Sequence, residues 1–141
     1  MIFRDLKHRT IFSQAYLCTI MWNPFSAESL PKAWAELKNV GQLDQAKEES
    51  FNQPVVLFKH STRCSRSMFA KSKLEEDYNI PNEELKFYYL DLLNHRDISD
   101  AIASKFGVHH QSPQIVLLKD GKVTFHTSHE QISLSKLKQH I

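Results

Sequence analysis

The stretch Val55-Val56-Leu57-Phe58-Lys59-His60-Ser61-Thr62-Arg63-Cys64-Ser65-Arg66-Ser67 decides how the rest of the chain is read. Val55–Phe58 is apolar at successive positions, which predicts a strand buried on both faces. A short polar turn follows, and Cys64 opens a helix read over residues 64–78. A helix start carries unpaired N–H groups and about half a positive charge. A thiol there is pushed toward thiolate, its reactive form. Lys59, His60, Arg63 and Arg66 all lie within five residues of Cys64, and the first acid downstream is Glu75.

Upstream, Ser29–Leu37 has a Ser cap, an early Pro31 and helical spacing of Leu30, Trp34 and Leu37, with Gly41 after it. This predicts a helix, and residues 43–50 predict a second, short one. Downstream, Ile80-Pro81 stops the helix opened by Cys64, and Phe87–Asp91 reads as the next strand. Ile98, Ala101, Ile102 and Phe106 mark a helix closed by Gly107. Gln114–Leu118 and Lys122–His126 flank Asp120-Gly121, which predicts an antiparallel hairpin. A terminal helix is read over residues 131–141, with Ile132, Leu134 and Leu137 apolar. The order α, β, α, β, α, β, β, α predicts an α/β fold with a mixed sheet and helices on both faces.

The domain proper is expected over residues 22–141. Residues 1–21 read as an N-terminal extension: basic Arg4, Lys7 and Arg9 precede an apolar run that Ser13 and Gln14 interrupt. The run is too short to span a bilayer and lacks a clear cleavage site, and Met21 is a second candidate start.

A net charge of +2 gives no global basic field, so neither nucleic acid nor membrane is expected as a partner. The local basic cluster at Cys64 favours a small anionic ligand. Cys18 and Cys64 form no disulfide framework, and the eight histidines, including His126 and His129, supply no convincing zinc set. No bound cofactor is therefore expected. A lone thiol beside basic groups fits a reducing cytoplasm better than secretion.

The strand leading to a helix-starting Cys, the later hairpin and the proline just before it match the thioredoxin-like fold, a three-layer arrangement. In that fold the Cys meets a loop with a cis proline; the match here is Pro113 in Ser112-Pro113-Gln114. The backbone beside such a proline is an open edge that can pair with a substrate backbone. Thioredoxins carry Cys-x-x-Cys, whereas this chain has Cys64-Ser65-Arg66-Ser67. Ser67 cannot resolve a mixed disulfide, but its N–H or hydroxyl can hydrogen-bond the Cys64 thiolate.

Lys59-His60-Ser61-Thr62-Arg63-Cys64 with Ser67, together with Val108-His109-His110-Gln111-Ser112-Pro113-Gln114, resembles the signature segments of the YtxJ family, the monothiol bacilliredoxins (BrxC-type) of bacteria. The similarity runs from about Trp22 to Ile141. It implies reduction of mixed disulfides between protein cysteines and bacillithiol, which is thus the expected co-substrate. Bacillithiolated proteins and a low-molecular-weight thiol are the expected partners. By this resemblance Cys64 is the nucleophile and Ser67 its support; Lys59, His60, Thr62, Arg63, Arg66, Ser112 and Pro113 are the residues expected to face the substrate. Lys59, Arg63 and Arg66 are matched by charge to the malyl carboxylates of bacillithiol. The chain departs from the family at Ser65, where Pro is frequent, and at Arg66, commonly apolar.

Other readings compete at each residue. Cys64 as an inert core thiol fits poorly with its polar neighbours. His60 is expected to point into solvent at the strand end, and His109 and His110 to form a turn or line the site. Cys18 is a resolving thiol only if the extension folds over the site. Ala70 stands where a phosphatase loop needs Arg. At the level of function, the alternative to an oxidoreductase is a non-catalytic binding or adaptor module of the same fold.

Overall fold

The computed structural model describes Pro31 and residues 33–141. The expected extension at 1–21, the expected domain start at 22, Cys18 and the start of the first predicted helix lie outside the described residues.

Val55–His60 forms a strand (β2) buried at every position. Its side chains alternate between two cores. Val56 and Phe58 enter one with Ala70, Leu74, Phe87, Tyr89, Ile115, Leu117, Leu134 and Leu137. Val55 and Leu57 enter the other with Leu43, Ala46, Tyr88, Leu90, Ile98, Ile102, Val116 and Leu118. A strand with helices on both sides has no polar face to show, which explains the unbroken apolar run.

Two parallel neighbours follow from the crossovers. β3 (Lys86–Asp91) lies beside β2, with Leu57 opposite Tyr88, and β1 (Trp34–Glu36) lies beside β3, with Trp34 opposite Phe87. On the other side of β2, β4 (Gln114–Lys119) runs antiparallel, with Lys59 opposite Gln114. β5 (Lys122–Ser128) closes the sheet as its hairpin partner, giving the order β1-β3-β2-β4-β5. The hairpin turn is Asp120-Gly121, both with positive φ (52° and 75°), as an Asp-Gly turn of this kind requires.

The helices are α1 (Gly41–Glu49), α2 (Ser65–Asp77), α3 (Arg96–Phe106) and α4 (Leu134–Lys138), the last preceded by a 3₁₀ turn at His129–Gln131. α2 and α4 cover one face of the sheet and α1 and α3 the other. Gly107 ends α3 at φ 66°, as expected.

Three expectations are corrected. Trp34–Glu36 is a strand, not part of a helix, and Gly41 begins a helix rather than ending one. Tertiary burial of Trp34 outweighs its helical spacing. Its ring stacks on Phe87 at 4.2 Å and meets Tyr78 and Phe58 edge-on. Met68 and Phe69, although apolar and within α2, are 49% and 70% exposed. Buried instead are Ser67, Ala70, Lys71 and Leu74. The terminal helix is a single short turn of α-helix after the 3₁₀ segment, not a run from 131 to 141.

Candidate active site around Cys64

β2 runs its last residue, His60, into a tight turn in which Cys64 N–H donates to Ser61 O at 3.2 Å. Cys64 is the N-cap of α2, in extended conformation (φ −107°, ψ 120°), and its carbonyl accepts from Met68 N at 3.0 Å. The thiol is partly exposed and lies below the ordinary cysteine range. The main cause is the Ser67 N–H, with further help from the Arg66 N–H, the Ser67 hydroxyl and the Arg66 guanidinium. Partial desolvation opposes them. These are the donors that a helix start offers to an anion.

Ser67 is fully buried, and its Oγ accepts from Ser61 N at 3.2 Å. One hydroxyl thus donates toward the thiolate and accepts from the turn that presents it, so it fixes both ends of the Ser61–Cys64 segment.

The pairing of Lys59 with Gln114 sets the loop before β4 at the same end of the sheet as the Cys64 turn. The Ser112–Pro113 peptide in that loop is cis, and Pro113 is buried. Three side chains hold the loop. Buried Gln114 donates from Nε2 to His109 O at 2.9 Å and accepts from Gln111 N at 3.3 Å. His129 donates from Nε2 to Gln111 Oε1 at 3.0 Å, while its backbone N–H donates to Pro113 O at 3.1 Å. Lys59 Nζ, on the face toward α3, donates to His110 Nδ1 at 2.6 Å, with Ser99 Oγ 3.3 Å from the same nitrogen. Burial lowers Lys59 to about 8, against the raising effect of Asp100. Burial and the Lys59 charge, in that order, push His110 below the usual histidine range.

Two site expectations are therefore corrected. Lys59 was matched to a ligand carboxylate, yet it is fully enclosed and directed at His110. His60 was placed in solvent, yet it is 1% exposed, with its ring centroid 5.5 Å from that of Tyr89 and 5.9 Å from that of Phe58. Both belong to β2, which extends two residues past the apolar run and stays covered on both faces. Thr62, Arg63 and Arg66 are exposed around the thiol. Ser112 is half-buried, and its hydroxyl oxygen has no hydrogen-bond partner among the described residues.

A cleft of about 250 Å³ opens at the start of α2, lined by Ser65, Arg66, Phe69, His129 and Glu130. Arg66 Nε and Glu130 Oε1 face each other across it at 3.6 Å. Glu130 and Phe69 carry no local sequence signal for this role, since only the packing of the 3₁₀ turn on α2 brings Glu130 to Arg66. Gln114 was detectable as a polar residue at the head of an apolar strand. Among the described residues no cluster of three or more His, Cys, Asp or Glu could hold a metal ion. None of their helices is long and apolar enough to cross a membrane.

A five-stranded mixed sheet between helix layers, with a poised thiol at a helix start beside a cis-proline loop, defines a thioredoxin-fold protein of thiol–disulfide oxidoreductase type. A solved structure described as "A putative oxidoreductase with a thioredoxin fold" is similar at 32% identity, covering 77% of this chain and 93% of that one, with a TM-score of 0.63. The thioredoxins of Malassezia sympodialis (21% identity, 82% and 97% covered, TM-score 0.59) and Trypanosoma brucei brucei (20%, 81% and 92%, 0.60) share the fold. The chain belongs to the monothiol bacilliredoxin BrxC family, whose model matches residues 35–137.

Proposed function

We propose that this protein removes bacillithiol from protein mixed disulfides, with Cys64 as the sole nucleophile. The observation that carries the reading is the Cys64 thiol, lowered by helix-start donors, with a buried Ser67 where a second thiol would stand. The Cys64 thiolate attacks the bacillithiol sulfur. A new S–S bond forms there, the old one breaks, and the client leaves as a thiolate that takes a proton from water. Ser67 offers no thiol to attack the new disulfide, so Cys64 keeps its bacillithiol until an external thiol or another redoxin takes it.

We assign to Thr62, Arg63, Arg66, Ser112 and Pro113 the contacts to the incoming disulfide, with Arg63 and Arg66 as cations for its carboxylates. Lys59 and His60 act from beneath the surface, as supports of the loop and strand end. The chemistry belongs in a reducing compartment, and the cytoplasm of a bacterium that makes bacillithiol is our assignment.

Exposure of the reduced protein to bacillithiol disulfide, followed by intact and peptide mass spectrometry, tests this. One bacillithiol on Cys64, persisting until a free thiol is added, is the expected result. An unmodified Cys64 after prolonged exposure overturns it.

A further inference from the structure

We propose that the cleft between α2 and the 3₁₀ turn is a binding site for the zwitterionic half of the disulfide, with Arg66 taking its carboxylate and Glu130 its ammonium group. This rests on the redox reading of Cys64 and adds the basis of selectivity.

The lining starts at the residue after the sulfur, since Ser65 and Arg66 follow Cys64 directly and the Arg66 N–H hydrogen-bonds it. At about 250 Å³ the space is below the ~300–1,000 Å³ of pockets for drug-sized ligands. It suits part of a small thiol, not a folded client. Arg66 and Glu130 are 68% and 70% exposed and meet at 3.6 Å, so the pair is loose and screened, and a ligand opens it at little cost. Once opened, the guanidinium accepts a carboxylate in a forked contact. The freed Glu130 carboxylate then repels a second anion and attracts a cation. A ligand carrying both charges satisfies both walls, while one carrying only carboxylates meets Glu130 as a like charge. Phe69, 70% exposed at the rim, offers apolar cover to the carbon frame. Bacillithiol carries both kinds of charge, an amine near its thiol and carboxylates on its malyl part.

The test uses the full chain and Glu130→Gln, with rates of Cys64 adduct formation from bacillithiol disulfide, neutral 2-hydroxyethyl disulfide and anionic 3,3′-dithiodipropionate. Dividing each rate by that of the neutral disulfide removes any change in the thiolate itself. Glu130→Gln is expected to lower the bacillithiol ratio and raise the dithiodipropionate ratio, shifting their quotient about tenfold. Ratios that stay within twofold, or that move in the same direction, overturn the inference and leave the redox reading intact. Absence of any adduct from all three disulfides on the unsubstituted protein overturns both.

Discussion

A single buried hydroxyl stands where a second thiol would resolve a mixed disulfide. Ser67 is enclosed, donates toward Cys64 and accepts from Ser61 N–H, so the position has the shelter and proximity that a resolving sulfur needs. Ser67→Cys is expected to convert the site to a dithiol. Oxidant or bacillithiol disulfide then leaves an internal disulfide, two mass units below the reduced chain, in place of the bacillithiol adduct. A long-lived adduct on Cys64 of that variant would refute the geometry. The helix-start position of Cys64 and its lowered thiol were legible from its place between an apolar run and a helix, because helix-start electrostatics is a local property. Lys59 and His60 were misread for the opposite reason. A lysine and a histidine after four apolar residues look like the exit of a strand, and only the covering layers show that β2 continues through them.

Among the elements, β1 shows where local pattern and tertiary packing part. Alanine, leucine, glutamate and lysine around Trp34 are good helix formers. Yet Leu37 N–H donates to Tyr89 O at 2.8 Å, and the Trp34 ring is sandwiched among Phe87, Tyr78 and Phe58. A three-residue strand has few ladder bonds, so the indole supplies most of what holds it. Trp34→Ala is expected to cost about 3–5 kcal/mol in urea unfolding, and a loss below about 1 kcal/mol would show that β1 is held by something else. By contrast, the β4–β5 hairpin was readable at once, because Asp120-Gly121 takes positive φ at both positions and few other pairs do so cheaply. Glu130 stayed hidden because its partner Arg66 is reached only through the fold, with no pattern linking the two segments.

At the scale of the whole molecule, a buried ammonium shapes how stability follows pH. Lys59 titrates near 8 in the fold and near 10.5 when exposed, so between these values the unfolded chain binds more protons and stability rises with pH. Below 8 both states are protonated and the burial cost is constant from this group. His110 lies below its usual value, so its contribution is lost as pH falls below about 6.5. Lys59→Met removes the lysine effect. Urea unfolding is expected to show this variant ahead of the unsubstituted protein at pH 7, with the gap narrowing by pH 9.5. A gap independent of pH would refute the assignment of Lys59 as the buried charge.

The two ends of the sheet carry different duties. Away from Cys64, Ser50 O accepts from Asp120 N–H and Ser50 Oγ from Gly121 N–H, each at 2.8 Å, and the Phe51 ring sits where a side chain at 121 would have to go. That knot ties α1 to the hairpin at the pole farthest from the thiol. Architecture and chemistry are thereby insured separately: the rim around the sulfur is free to diversify toward new thiols while the opposite pole keeps the chain in shape.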